Sequence, residues 1–347
     1  MATPLHQHKH ARTRLRGPID PELAKSVDSF PSGKPGQWAY EPKLDGFRAL
    51  AVIDSDRGVY VQSRRGARFN EIFPEVVWAV YQHVPERTIL DGEIVRWNSA
   101  GRLDFGALHR RNVAGRRRAA ALASSEPCHY AVFDLLRLHG QDVTGLSLRE
   151  RRALLEELFA LIPAAGVLAL GMQTLVEAEA RTWYESMHVA GVEGLVIKPT
   201  GSRYESGVRG WLKLKRRASA EAVVGGYIGR VKRPSGLLLG RYDSAGRLRV
   251  VGRTTQLTAR AAAEIAPLLS PAAGAHPWPT TLPPGWAGSP YGQTDPITYT
   301  QVEPDLVVEV LADTAKEGHR HRHPVKYLRP RTDLDPLQVI EERDVGA

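Results

Sequence analysis

Residues 40–48 read Tyr40-Glu41-Pro42-Lys43-Leu44-Asp45-Gly46-Phe47-Arg48. Asp45-Gly46 is a tight-turn signal between two β-prone runs, Trp38–Pro42 and Phe47–Asp54, so the stretch predicts two short strands joined at that turn. A hairpin with solvated charges is one reading of it. The other is chemical: a lysine held at a strand end beside a tight turn is placed to act as a nucleophile, with Arg48 set to grip a phosphate through its planar fork. An ordinary lysine is neutral in only about one molecule in 2,500 at pH 7, so such a nucleophile needs nearby cations that disfavour its ammonium form.

Outward from this point the chain alternates short strands and helices. A strand is predicted at Val59–Ser63 after the turn Ser55-Asp56-Arg57-Gly58. A helix follows at Pro74–His83, with proline in its first turn and Val76, Val77 and Val80 as its apolar positions. Strands are expected leading into Asp91-Gly92-Glu93-Ile94-Val95 and at Tyr130–Leu136. Leu148–Leu161 reads as an amphipathic helix capped by Ser147, Val176–His188 as another helix, and Gly194–Ile197 and Trp211–Leu214 as strands. Hairpin signals are too many for a purely parallel sheet, so the class expected is α+β: antiparallel sheets with flanking helices over residues 36–217. Residues 1–35, with Pro18, Pro21, Pro31 and Pro35, read as an N-terminal arm, and His6, His8 and His10 within it as a solvated tail. After Lys215-Arg216-Arg217 the texture becomes Gly-punctuated β segments at Glu221–Ile228, Leu237–Tyr242, Leu248–Val251 and Leu306–Val310. One helix-like run, Thr258–Leu269, lies among them. That pattern predicts a small Greek-key barrel of OB type over 218–347, with Pro271–Pro296 as a long surface loop.

Composition bounds the partners. The 347 residues hold 47 Lys and Arg against 38 Asp and Glu, a formal charge of +9 that favours a polyanion. The length suits two domains, each able to bury its own core. Cys128 is the only cysteine, which excludes an intramolecular disulfide and a zinc site built on several thiolates. No run approaches 18 apolar residues, and Met1–Arg16 has no apolar signal core, so membrane and secreted classes drop out and a cytoplasmic setting is expected.

Candidate cations lie in Trp211-Leu212-Lys213-Leu214-Lys215, where i, i+2 spacing on a strand puts both lysines on one face. Glu193-Gly194-Leu195-Val196-Ile197-Lys198 and Asp91-Gly92-Glu93 each place a carboxylate at a buried strand, where it can meet Mg²⁺ or accept from a ribose hydroxyl. Taken singly, each is an ordinary amphipathic strand with surface charge.

Their order carries more. Lys-x-Asp-Gly-x-Arg at 43–48, Asp-Gly-Glu at 91–93, Val-Phe-Asp-Leu-Leu at 132–136, Glu-Gly-Leu-Val-Ile-Lys at 193–198 and Lys-Leu-Lys at 213–215 resemble the serial motifs of the covalent nucleotidyltransferases. Within that superfamily the chain is most similar to ATP-dependent DNA ligases of the stand-alone bacterial ligase C type. The resemblance spans nearly the whole chain and implies an adenylation domain followed by an OB domain. It implies that Lys43 takes AMP in a phosphoamide bond and that Arg48 contacts the nucleotide and later the 5′ phosphate. Arg64, or Arg65 in another registration, would grip a phosphate. Glu93 would bind the ribose hydroxyl and Phe133 would stack on adenine, although a phenylalanine in a strand also serves as plain core. Glu41 and Lys198 would belong to the nucleotide site. Glu193, with Asp45, would meet the metal, and Lys213 and Lys215 would neutralise the α-phosphate. The last family motif falls in 322–334, where Leu334 departs from the usual Arg-x-Asp-Lys ending. Arg322 and Arg331 are its candidates, with Lys326 and Arg329 competing.

What the resemblance implies is an ATP- and Mg²⁺- (or Mn²⁺-) dependent ligase acting on nicked double-stranded DNA, as a monomer, with any DNA-repair partners being separate proteins. Arg110-Arg111 and Arg116-Arg117-Arg118 read as part of a DNA footprint or as a solvated helix. An RNA ligase, a capping-type guanylyltransferase and a non-catalytic OB-fold nucleic-acid binder remain alternatives at this point.

Overall fold

In the computed structural model, which describes residues 18–341 apart from 165, 285, 287–294, 314–315 and 318, the strands either side of Asp45-Gly46 do not form a hairpin. They enter different sheets. His6, His8 and His10 lie outside the described residues. The chain divides into two compact units: one of residues up to Leu214 without 99–102 and 183–194, the other of those two segments and residues from Lys215 on.

The elements up to Lys215 run β1 (Ala24–Val27), β2 (Trp38–Pro42), β3 (Phe47–Ile53), β4 (Val59–Ser63), α1 (Pro74–His83) and β5 (Thr88–Val95). Next come α2 (Phe105–Asn112), α3 (Arg116–Ser125), β6 (His129–Leu138), β7 (Gln141–Asp142) and α4 (Leu148–Phe159). β8 (Leu168–Leu170), α5 (Glu177–Ser186), β9 (Gly194–Pro199) and β10 (Trp211–Lys215) complete the series. One sheet has the order β1-β10-β9-β2; the other has β4-β3-β5-β6-β7, with β8 paired to β6. Within the stretch read as an arm, β1 lies parallel to β10, Ser26 opposite Lys213. Most pairings of the second sheet are antiparallel, as its hairpin signals suggest.

Period-two alternation sorts the second sheet's side chains. Ala49, Ala51 and Ile53 of β3, with Leu90 and Ile94 of β5, face a core shared with Val76 and Val80 of α1, Leu108 of α2 and Leu155 of α4. Leu50 of β3, Ile89 of β5 and Leu136 of β6 face the other way, into a cluster with Trp211 of β10 and Val196 of β9. Each fully buried aliphatic side chain here contributes roughly 1.5–3 kcal/mol. The consequence is positional: Arg48 lies on the face of Leu50, and Asp91 and Glu93 on the face of Ile89, turned toward the first sheet. α4 opens with a complete capping box, Ser147 to Glu150, which fixes its start where the sequence placed it.

The second unit is built on β11 (Arg217–Arg230), β12 (Arg233–Tyr242), β13 (Leu248–Arg253), α6 (Ala259–Ile265), β14 (Thr281–Leu282), β15 (Ile297–Thr298) and β16 (Thr300–Gln301). β17 (Val307–Asp313), β18 (Lys316–Glu317), β19 (Arg320–His321) and β20 (Lys326–Pro330) follow. Its main sheet has the order β13-β12-β11-β17-β20, and a parallel bridge from Thr254 to Val325 joins its ends. Five main strands, with one helix between the third and fourth in chain order, agree with the number of β segments and the helix expected here. The stretch 271–296 differs from a plain surface loop: β14 pairs with β15, and Trp278 and Leu282 are buried in a core cluster with Val223, Leu238 and Val307. Room for the Trp278 ring comes from Gly225 and Gly240, where an added Cβ would overlap it. Among the described residues no helix is long and apolar enough to cross a membrane.

Candidate active site in the first unit

Lys43 sits in the connection between β2 of one sheet and β3 of the other, so it is carried between the two faces rather than on either. The path of that connection needs Gly46: a Cβ there would overlap the Ile94 carbonyl oxygen and crowd the Glu93 side chain. Lys43 and Asp45 are half-buried.

Arg48 is bound from below. Its Nε donates to Asp91 Oδ1 at 2.9 Å, its Nη2 to Asp91 Oδ2 at 2.5 Å, and its Nη1 to the Glu22 carbonyl at 2.6 Å. Tyr204 Oη donates to Asp91 Oδ2 at 2.7 Å and accepts from the Glu22 amide at 3.0 Å. Burial works against the Arg48 charge, but Asp91, through charge and hydrogen bonding, outweighs it and holds the guanidinium protonated. Glu93, opposite Arg48 in the ladder, behaves differently. Burial pushes its carboxyl up to about 8; Lys43 and Arg48 pull against this, while Asp45 and Asp91 add to it. The shift favours the carboxylic acid form, which can both donate and accept.

Behind this row lies an aromatic box. Lys198 is fully buried, and its Nζ approaches Glu41 Oε2 to 2.8 Å, off the hydrogen-bonding direction. The same ammonium lies 4.0 Å from the Trp211 ring centre and 4.4 Å from that of Phe133. The Arg48 guanidinium lies 4.7 Å and 5.2 Å from the same two rings, which meet edge to face. Glu41 Oε1 accepts from Gln173 Nε2 at 2.8 Å. Glu41 and Lys198 are thus partners of each other.

Lys213 is half-buried on β10, at i+2 from Trp211, so it shares the face that Trp211 turns to the second sheet. Arg64 is exposed, and its backbone N–H donates to the Arg48 carbonyl at 3.1 Å, which fixes the turn beside the site and leaves its side chain outward; Arg65 is likewise exposed. Lys43, Asp45, Arg48, Glu93, Phe133, Lys198 and Glu41 therefore belong together in the first unit, drawn from sequence positions 41 to 198. Glu193, Lys215, Arg322 and Arg331 belong to the second unit. There Arg322 Nη2 meets Glu193 Oε1 at 2.8 Å, both side chains nearly buried. Arg331 is held by Asp333 at 2.8 Å and Glu221 at 3.1 Å.

Asp91, Glu22, Tyr204, Trp211 and Gln173 were not singled out as site residues from the sequence. Trp211 carries a signal in hindsight, since i, i+2 spacing puts it on the lysine face. Glu22 and Tyr204 carry none, because their contacts join segments 182 residues apart.

Comparison with known proteins gives the family of the chain. Residues 21–215 match the family model described as ATP dependent DNA ligase domain, and residues 230–334 the one described as ATP dependent DNA ligase C terminal region. DNA ligase C of Mycobacterium tuberculosis (strain ATCC 25618 / H37Rv) is 34% identical over 343 residues, covering 92% of this chain and 91% of that protein. The multifunctional non-homologous end joining protein LigD of Pseudomonas aeruginosa is 35% identical over 241 residues, 68% of this chain and 27% of that protein. Among solved structures, a Lig E DNA ligase aligns with a TM-score of 0.54 at 17% identity, over 89% of this chain and 99% of that one; at this identity the likeness concerns the fold alone.

Proposed function

This chain belongs to the ATP-dependent DNA ligase family, and on that premise we propose that it seals 5′-phosphate/3′-hydroxyl nicks in duplex DNA through a lysyl-AMP intermediate on Lys43. The observation that carries the residue-level reading is the placement of Lys43 on a glycine-constrained connection between two sheets, where its charge and that of Arg48 act on Glu93 and where Arg48 and Lys198 share the Phe133 ring.

Neutral Lys43 Nζ attacks the α-phosphorus of ATP. The N–P bond forms, the bond to the β-phosphate bridging oxygen breaks, pyrophosphate leaves with the electron pair, and the amine proton passes to solvent. The nick's 5′ phosphate oxygen then attacks the same phosphorus, breaking the N–P bond and returning the lysine. Last, the 3′ hydroxyl attacks the activated 5′ phosphate, losing its proton and expelling AMP. Lys213 and Lys215 supply charge for the phosphate oxygens, Arg64 reaches out to a phosphate, Glu93 meets the ribose hydroxyl and Phe133 offers its face to adenine. Arg322 and Arg331 are the second unit's candidates for orienting pyrophosphate.

Among the described residues no group of three or more His, Cys, Asp or Glu is gathered to cage an ion. A carboxylate such as that of Asp45 fits Mg²⁺, or Mn²⁺ in its place, because Mg²⁺ is commonly held by one or two carboxylates plus the phosphates of its nucleotide. Asp45 would hold it in the first unit; Glu193 would do so only after exchanging Arg322 for the cation. When bound, the ion neutralises phosphate charge.

The +9 charge supports binding to the DNA backbone, and the buried, lone Cys128 fits a reducing cytoplasm. We assign the enzyme a role in DNA repair as a monomer, with any partners being separate proteins; the end-joining relative supports that setting. The test is sealing of a singly nicked, 5′-labelled duplex with ATP and Mg²⁺. Ligated product with ATP and none without nucleotide is the expected result; failure on both DNA and RNA nicks would remove the ligase reading.

A further inference from the structure

Gln173 lies where the chain passes from the edge of one sheet to the edge of the other. Just before it, the Gly171 amide bonds to the Val132 carbonyl at 2.7 Å, and a Cβ on Gly171 would stand 3.3 Å from Phe133 Cβ. Just after it, Thr174 forms an antiparallel bridge with Tyr40. Between these anchors the Gln173 amide nitrogen donates to Glu41 Oε1 at 2.8 Å. Glu41 Oε2 meets Lys198, and Lys198 lies 4.4 Å from the Phe133 ring centre. A primary amide and an aromatic face thus belong to one cluster, whose Glu41 lies two residues before Lys43 in the chain.

The polarity of that amide follows from its partner. Paired with the Lys198 ammonium, Glu41 is a carboxylate and can only accept, so Gln173 must turn its NH₂ toward it and its Oε1 away. A glutamine on a surface can flip to serve a donor or an acceptor. Here a flip would set amide oxygen against carboxylate oxygen and forfeit a charge-assisted hydrogen bond. Oε1 is therefore held as an acceptor. The 6-position of adenine is an amino donor, whereas that of guanine is a carbonyl acceptor. An acceptor facing the first forms a hydrogen bond; facing the second it leaves two acceptors opposed and desolvated.

We propose that Gln173 is a specificity-determining residue, its amide oxygen accepting from the 6-amino group of an adenine stacked on Phe133, so that Glu41 and Lys198 select ATP over GTP by locking the amide. The inference rests on the nucleotide-site reading above and adds to it the residue that reads the base.

The experiment measures KM and rate for covalent labelling of the full-length protein by α-labelled ATP, GTP and purine riboside triphosphate, which lacks the 6-amino group. Wild-type protein is expected to favour ATP over the purine analogue about tenfold in KM, the size of one net hydrogen bond. Gln173→Leu is expected to bring that ratio near one, while any disturbance of Glu41 moves both nucleotides alike and cancels. Wild type showing no preference between ATP and the analogue, or a ratio unchanged in Gln173→Leu, overturns the assignment of Gln173 and leaves the Lys43 reading standing. Absence of any label from ATP on wild type overturns both.

Discussion

Asp91 holds Arg48 by two parallel hydrogen bonds, at 2.9 and 2.5 Å, with no part of the Asp91 side chain exposed. The planar fork that the sequence suggested for a phosphate is thus turned inward, and Arg48 joins β3 to β5 and to the Glu22 carbonyl. Removing one partner of a buried pair leaves the other charge uncompensated. Asp91→Asn is expected to destabilise the protein by about 3 kcal/mol in urea denaturation. Arg48→Lys is expected not to preserve stability, because an ammonium cannot make both bonds at once.

Trp211 supports two cations at 4.7 and 4.0 Å from its ring centre. Each such contact is worth about 0.5–2 kcal/mol, and a buried tryptophan adds its area. Trp211→Leu should cost about 3 kcal/mol and raise KM for ATP, whereas Trp211→Phe, which keeps an aromatic face, should lose less of both. Equal losses in the two variants would show that area alone matters.

Arg64 offers the opposite case, an exposed side chain whose fold contribution is its backbone bond to Arg48. Arg64→Ala should change stability by no more than about 0.5 kcal/mol. Nick sealing should fall about tenfold or more if this guanidinium grips a phosphate in a charge-assisted bond. Arg65→Ala, measured beside it, decides between the two registrations of the motif.

Burial lifts the Glu22 carboxyl from 4.5 to about 7, assisted by Asp134 and opposed by the Glu205 amide, Arg151 and Lys198. The folded protein therefore keeps a proton that the unfolded chain releases, and the associated stability is present below pH 4.5 and lost as pH rises to about 7. Melting temperatures of wild type and Glu22→Gln followed across this range should diverge, with the wild type losing more; parallel curves would contradict the shift.

Most elements of the fold were legible because each is written in local periodicity: Pro74–His83 by its proline and valines, the helix opening at Leu148 by Ser147 and its amphipathic spacing, although it ends at Phe159 rather than Leu161, and Val59–Ser63 by its β-prone run. The partition of Trp38–Pro42 and Phe47–Ile53 into separate sheets was not, since a turn dipeptide says where a chain bends and not which edges its flanking strands join. Trp278 in the second unit is a similar case. It sits in a Pro- and Gly-rich stretch that reads as loop, yet its burial depends on Gly225 and Gly240 of other strands. In the site, Lys43, Arg48, Glu93 and Lys198 stood out by type and order. Their partners Asp91, Glu22, Tyr204 and Gln173 did not, because only tertiary contact brings them together.

The most direct measurement is peptide mapping by mass spectrometry of the full-length protein after incubation with ATP and Mg²⁺ in the absence of DNA. AMP is expected on the peptide containing Lys43, released on addition of a nicked duplex, and absent from Lys43→Ala. AMP on any other lysine, or retention of the full label in Lys43→Ala, would contradict the account.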